Sequence, residues 1–392
     1  MEIELSACRG RRPDVLLSAY ACDPDEGSES GAGWALLSAI SLIANSVTVI
    51  TRDRNAPRLE SEVAKLGCPV EVVRISTPFD ESGRTYRRYL YWLIRASSFV
   101  KEESNCYGIF HHVTFASDWM PPPVIFGVSS PKTVWGPAGG NTYPPAALAA
   151  KLGIRELTRC TVRAAGTRTV RMATRAILAN RIDSFIAMNV DSLKSAPRGS
   201  GTSLYANCVI PYEEYTAHRS VIRGKRVLFV GRLLNLKGID FAIDSLEYLS
   251  EDWTLTIIGD GREMARLKRR SSRYGHRVEF LGWQEHKSVK AYMSESDVLV
   301  FPSLHDSGGW SAAEGAACGL PVVCLDLGGV QTMAGENAVV VESKPVVSIA
   351  ERIARAIEQT QTTAYEPRRD WTMDRLLQKL RRAYGISVNL SE

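Results

Sequence analysis

The chain has 392 residues, 45% hydrophobic and 23% charged, with a formal net charge of +5; this is length for about two to three domains, an ordinary soluble composition, and no charge excess that demands nucleic acid as a partner. Its eight cysteines are scattered with no C-x-x-C pair, which in a chain of this length reads as reduced thiols rather than a disulfide framework. No apolar run approaches the roughly 20 residues of a membrane span, and "MEIELSACRGRRP" lacks the apolar stretch of a secretory signal, so the expected location is cytoplasmic, with a peripheral position on the inner face of the cell membrane left open.

Short β-rich runs occur at 14–20, 47–51, 70–75, 108–113, 132–136 and 183–188, and again at 226–231, 255–259, 278–282, 298–303, 321–325 and 338–342. The gaps leave room for helices, which is the pattern of parallel sheets covered on both faces. Twelve runs are more than one sheet usually holds, so the expected fold class is α/β with two doubly wound, Rossmann-like domains. Their boundary is expected near 207–226, where the pattern gives way to polar residues, and ligand is expected outside the carboxyl ends of the strands. The stretch 371–384 reads as an amphipathic helix with Leu376, Leu377 and Leu380 on one side.

The first strand runs into "AYACDPDEGSESGAGWALLSAI", which places Gly27, Gly31 and Gly33 in a strand-to-helix turn. A dinucleotide fingerprint would need a third glycine where Leu36 stands, so the later Asp53 has no such motif to serve. Asp23-Pro24-Asp25 has the form of a metal-binding D-x-D, but a Pro-containing turn explains it better. "GIFHHVTFASDWMPPP" puts His111 and His112 at a strand end, and "WGPAGGN" supplies a second glycine-rich loop through Gly139 and Gly140, either an acceptor wall or a tight turn. Between 151 and 181, Lys151, Arg155, Arg159, Arg163, Arg168, Arg171, Arg175 and Arg181 face a single acid, Glu156. Arg155, Arg159 and Arg163 share one helical face, which suits plain solvation, an anionic membrane surface or an anionic acceptor. No aromatics interleave with these arginines as nucleic-acid stacking would require.

In the second half, "FVGRLLNLKGIDFAIDSL" is a strand followed by a loop with Arg232 and Lys237, two cations suited to neutralising a diphosphate. "HDSGGWSAAEGAACGLPVV" follows the buried run "VLVFPS". Its Asp306-Ser307-Gly308-Gly309 loop leads into a helix start, an arrangement that binds anions. Glu314 then lies on that helix, either as an ordinary surface acid or as an acceptor for vicinal hydroxyls. No triad motif, zinc-ligand spacing or P-loop occurs.

These pieces together resemble the donor domain of retaining glycosyltransferase family 4. Its "G-R-L-x-x-x-K-G" stretch is matched by Gly231, Arg232, Leu233, Lys237 and Gly238, and its "G-x-G" by Gly259-Asp260-Gly261. Its E-x7-E motif is matched from Asp306 to Glu314, followed by Ala317-Cys318-Gly319-Leu320-Pro321-Val322-Val323 and Gly328-Gly329. The set spans 226 to about 342. The resemblance implies a GT-B fold: an N-terminal, acceptor-side domain over 1–210 completed by the crossover segment 371–392, and a donor-binding domain over 211–370. It implies that Asp306 and the amides after it hold the donor sugar, with Ser307, Gly308, Gly309, Trp310 and Ser311 lining that loop beside His305. It also implies that Glu314 holds the ribose and that Gly27, Gly31 and Gly33 approach the donor phosphate from the other domain. A histidine near donor sugar and acceptor is matched first by His111 and second by His112. The one departure is Asp306, where the family carries Glu; the shorter side chain bears on donor choice.

The implied reaction moves a sugar from a nucleoside diphosphate to a hydroxyl acceptor with retained anomeric configuration. Arg232 and Lys237 act on the leaving diphosphate, and no metal or other cofactor is needed for the chemistry. The expected partners are a sugar nucleotide and a glycan, lipid-linked or small-molecule acceptor, with an anionic membrane surface reached through 151–181. Rival readings are a soluble natural-product acceptor, a GT-B sugar-nucleotide epimerase or phosphorylase, and a binding module without activity.

Overall fold

A computed structural model describes residues 12–25, 28–78, 85–126, 131–140, 142–151, 153–216 and 224–386. The chain divides into two compact units. The first comprises Met1–Asn141, Thr167–Val209 and Met373–Glu392, and the second Thr142–Gly166 and Ile210–Thr372. Among the described residues, no helix is long and apolar enough to cross a membrane.

The first unit is built on seven parallel strands, β1 (Asp14–Ala19), β2 (Ser46–Arg52), β3 (Val70–Ile75), β4 (Ile109–Thr114), β5 (Lys132–Ala138), β6 (Ser184–Ala187) and β7 (Gly201–Leu204), in the order β3-β2-β1-β4-β5-β6-β7. β7 was not among the expected strands: Gly201-Thr202-Ser203-Leu204 is a polar edge strand, exposed at its first half, so it lacks the apolar run that marks the others. Leu16, Ile50, Phe110, Trp135 and Phe185 come from five neighbouring strands of the sheet, β2-β1-β4-β5-β6, and pack with Trp92 in one core. Each buried side chain of this size contributes roughly 1.5–3 kcal/mol, so the strands, rather than the loops, hold the strand ends in place. The final helix, Met373–Tyr384, buries Leu376, Leu380, Ala383 and Tyr384 and packs on β5 and on the helix Ser28–Ser41. Leu377, expected on the same side, is only half-buried.

The second unit is built on six parallel strands, β8 (Arg226–Val230), β9 (Thr254–Ile258), β10 (Val278–Gly282), β11 (Val298–Phe301), β12 (Val322–Leu325) and β13 (Ala338–Val341), in the order β10-β9-β8-β11-β12-β13. Strand order reverses between β8 and β11, as it does between β1 and β4 in the first unit. Such a switch point opens a crevice at the carboxyl ends of the strands. β11 and β12 are wholly buried, and Phe229, Ile257, Val300 and Val323 form the core together with Leu148 from the segment Thr142–Gly166.

The basic segment resolves into residues with different surroundings. Helix Ile154–Ile177 exposes Arg155, Arg159, Arg168 and Arg175, while Arg163 is half-buried. Arg171 does not belong to a basic face. It is buried in the first unit and clamps Asp118 in bidentate fashion (Nε to Oδ2 3.0 Å, Nη2 to Oδ1 3.1 Å), and the Ser195 hydroxyl donates to the same carboxylate at 2.6 Å. Breaking a buried pair of this kind costs about 3–5 kcal/mol, so Arg171 has a structural reason to be basic. Gly27 and the side chain of Lys151 lie outside the described residues.

Candidate functional site

At the carboxyl edge of the second unit two loops are tied together by backbone. The loop after β8 turns through Asn235–Lys237, and the loop after β11 donates Leu304 N–H to the Leu236 carbonyl at 2.8 Å, with the Ser303 hydroxyl donating to the same oxygen at 3.3 Å. This junction brings Lys237 to Asp306. Their side chains form a close ion pair, Nζ to Oδ2, with only 16% and 19% of the side chains exposed. Lys237 Nζ also lies over the Phe301 ring, 5.2 Å from its centroid. The Asp306 carboxylate is therefore held by the motif's own lysine, a partner that sequence spacing does not disclose. Gly231 directly follows β8 and precedes Arg232, which is exposed and forms no ion pair among the described residues.

Helix Trp310–Ala317 begins directly after this loop, with Gly309 at its N-cap in a left-side conformation, φ 121°. A helix start presents backbone N–H groups and the positive end of its dipole. The loop Ser307-Gly308-Gly309 ahead of it is held from beneath by the second glycine pair. Gly329 N–H donates to the Asp306 carbonyl at 2.8 Å, and a Cβ at Gly329 would lie 2.0 Å from the Ser307 carbonyl oxygen. No residue other than glycine fits there without displacing the loop, which gives the "GG" of the sequence a mechanical cause. Trp310 and Ser311 are both half-buried at the helix start. His305 Nδ1 bonds the Thr142 carbonyl and its ring stacks near Tyr143, 6.4 Å between centroids. Burial, followed by the Arg163 guanidinium, lowers its pKa, so Nδ1–H of a neutral ring donates that bond.

Glu314 stands on the second turn of the same helix and is buried, with 8% of the residue exposed. Its Oε1 accepts from His286 Nε2 at 2.7 Å and from the Tyr215 hydroxyl at 3.2 Å. Neither partner was expected. Tyr215 sits in the stretch that reads as a polar boundary, and His286 is a lone histidine opening the helix His286–Glu295. Its place four residues past a strand end, beside a ligand crevice, is the one signal that could have flagged it.

The remaining candidates lie in the first unit. Gly31 and Gly33 sit inside the helix Ser28–Ser41 instead of a turn. A Cβ at Gly33 would lie 2.2 Å from the Ala21 carbonyl oxygen, so glycine is required for the helix to pack on the segment after β1. Gly139 and Gly140 pack against the segment 116–118. Gly139 exchanges backbone bonds with Ala116 and Asp118, and Gly140 lies against the Asp118 carboxylate that Arg171 holds. Asp23 caps its own turn through a bond from Asp25 N–H at 3.0 Å. Glu29 Oε1 accepts from Phe115 N–H at 2.5 Å, and burial pushes its carboxyl pKa up.

His111 and His112 were expected at a strand end, but they are the third and fourth residues of β4 and are fully buried. His111 Nε2 donates to the Gly136 carbonyl at 2.7 Å, so its Nδ1 accepts from the Tyr384 hydroxyl at 2.9 Å. His112 Nδ1 lies 2.9 Å from the Ser18 hydroxyl and its Nε2 3.3 Å from Tyr89 Oη. With both nitrogens engaged and no exposed atom, each is a core histidine in this geometry. Burial lowers the pKa of His111 to about 4 and that of His112 to about 3, the latter also feeling the His111 charge. The unfolded chain, with imidazoles near 6.5, takes up these protons first as pH falls. Stability is therefore full above about pH 6.5 and declines between about 6.5 and 4. Glu29 acts in the opposite sense, so the comparison needs a variant: thermal unfolding of His111→Gln should show a shallower decline over that window than the parent. Parallel curves would exclude the histidine as the cause.

Residues 224–359, within the second unit, match the family model described as "Glycosyl transferases group 1". The chain is similar to 2-deoxystreptamine glucosyltransferase from Streptomyces kanamyceticus, 29% identical over 160 residues, covering 38% of this chain and 41% of that protein. It spans about a third to two fifths of the length of the curated relatives it first matches. In structure it is similar to sucrose-phosphate synthase from Thermosynechococcus elongatus (TM-score 0.64, 18% identity, 95% of this chain and 98% of that one). It is also similar to Anabaena HepE in complex with UDP and glucose (TM-score 0.56, 16% identity, 95% and 99%). These neighbours assign the two parallel-sheet Rossmann-like units to the GT-B fold.

Proposed function

We propose that this chain is a retaining, metal-independent glycosyltransferase of the family 4 type, moving a sugar from a nucleoside diphosphate to a hydroxyl acceptor in lipid-linked glycan or exopolysaccharide assembly. The observation that carries the reading is the cluster at one sheet edge: the Lys237–Asp306 pair, the glycine-cradled start of helix Trp310–Ala317 and the buried carboxylate of Glu314. A cation beside a helix N-terminus suits a diphosphate, and a held carboxylate one turn further suits the hydroxyls of a ribose. The UDP complex of the structurally similar HepE agrees with a sugar nucleotide as donor.

In the reaction, the acceptor oxygen forms a bond to the anomeric carbon on the face from which the diphosphate departs. The bond from that carbon to the phosphate oxygen breaks, and the acceptor's proton passes to the leaving phosphate. Lys237, Arg232 and the amides at Gly308 and Gly309 stabilise the charge that grows on the leaving group. His111, fully buried with both ring nitrogens bonded, is given no step in this proposal. Asp306 acts through Lys237, holding the ammonium group at the loop junction, and its remaining oxygen is the atom to test for contact with the sugar.

A soluble natural-product acceptor is the second reading. It is favoured by the similarity to a 2-deoxystreptamine glucosyltransferase. One experiment separates these. The protein is incubated with a panel of sugar nucleotides in the presence of EDTA, with either a lipid-linked glycan or an aminocyclitol as acceptor. Acceptor-dependent release of a nucleoside diphosphate supports the transferase, and the acceptor that promotes it decides between the readings. Conversion of the sugar nucleotide with no acceptor points to an epimerase, and no turnover with or without added divalent metal contradicts the proposal.

A further inference from the structure

Glu314 does not stand alone on its helix. His286 Nε2 and the Tyr215 hydroxyl both reach its Oε1, at 2.7 and 3.2 Å, and lie 3.1 Å from each other, closing a three-membered ring of polar atoms. A ring-nitrogen lone pair cannot face a carboxylate at that distance, so Nε2 carries the proton and donates. Tyr215 is buried, with 2% exposed, and Lys290, one turn after His286 on the same helix face, places its ammonium group 4.7 Å from the centroid of the Tyr215 ring. Three separate segments therefore converge on one carboxylate oxygen: Glu213–Thr216, the start of His286–Glu295 and the second turn of Trp310–Ala317.

Both donors choose Oε1, and Oε2 accepts no hydrogen bond among the described residues. Two bonds to one oxygen fix the roll of the carboxylate and direct the other oxygen to a single place. A freely rotating glutamate would offer either oxygen in any orientation, and an ordering cost would fall on the ligand. The arrangement is excessive for a surface acid. It fits a carboxylate that must meet a hydroxyl in one orientation.

Resting on the transferase reading above, we propose that Tyr215 and His286 are positioning residues that lock Glu314 so that its Oε2 receives a ribose hydroxyl, making this site selective for ribonucleotides. A site built to accept from a hydroxyl rejects an analogue lacking it, because its buried polar atom is then left unpaired. Tyr215 and His286 set how large that rejection is. Without them the carboxylate swings and the penalty for a missing hydroxyl shrinks.

The test is calorimetric binding of UDP, GDP and ADP to the full chain, followed by the 2′-deoxy and 3′-deoxy forms of whichever binds. The parent protein is expected to prefer the ribonucleotide over one deoxy form by about tenfold or more. His286→Ala and Tyr215→Phe are expected to reduce that preference to about threefold or less, while binding the deoxy form nearly as the parent does. His286→Gln, which keeps an N–H donor at the same reach, should restore most of the preference. In turnover the loss should appear in the donor KM more than in kcat. If the parent binds no nucleoside diphosphate, ADP included, and turns over no sugar nucleotide of the panel above, the transferase reading fails and this inference with it. If the parent discriminates and both variants discriminate equally well, Tyr215 and His286 do not position Glu314 and this inference alone is overturned. A general loss of structure would weaken both ligands alike, which the ratio distinguishes.

Discussion

Lys237→Ala is expected to lower kcat/KM by about 10²–10³-fold, the scale of removing one preorganised charge stabiliser from a transition state. Two effects act together. The first is loss of the cation that meets the departing diphosphate. The second is that Asp306, only 19% exposed and paired through Oδ2 with this lysine, is left as an uncompensated carboxylate beside an anionic ligand. The second effect can be isolated, because in Lys237→Ala with Asp306→Ala the stranded charge is gone. The double variant should bind sugar nucleotide better than Lys237→Ala alone while remaining as slow in turnover. Steady-state kinetics with calorimetric binding of the donor read both quantities. Activity within a few-fold of the parent would remove Lys237 from the mechanism.

Glu314→Ala is expected to cost about 10²-fold in kcat/KM, mostly through the donor KM, since hydrogen bonds to a charged, buried acceptor are worth about 1.5–3 kcal/mol each. The variant also strips His286 and Tyr215 of their shared acceptor, so a modest fall in thermal stability should accompany it. Glu314→Gln keeps the shape and one carbonyl oxygen and should lie between parent and alanine. A Glu314→Ala enzyme with an unchanged donor KM would show that the ligand does not reach this carboxylate.

The parallel sheets were readable because strands buried on both faces become continuous apolar runs, such as Val298–Phe301 and Val322–Leu325. β7 was not readable, since Gly201–Leu204 is a half-exposed edge. Motif spacing marked the loops that carry Lys237 and Asp306, but not that the two side chains pair, because 69 residues separate them and the bonds of Leu304 and Ser303 to the Leu236 carbonyl close the gap. The first unit shows one consistent pattern. Residues that are prominent by type, namely His111, His112, Arg171, Gly33 and Gly140, owe that type to packing in the core: the imidazoles bridge backbone and hydroxyls, the guanidinium neutralises Asp118, and the glycines admit a carbonyl or a carboxylate. Tyr215 and His286 passed unnoticed because nothing in the sequence joins three segments about 30 to 100 residues apart at one oxygen.

The proposed reaction requires a donor seated on the loops after β8 and β11 and on the helix that starts at Trp310. Amide hydrogen exchange in the presence of the sugar nucleotide that the protein turns over addresses this directly. Slowed exchange in peptides covering 229–238 and 303–318 is the predicted result. Unchanged exchange in both, with protection arising elsewhere in the chain, would contradict it.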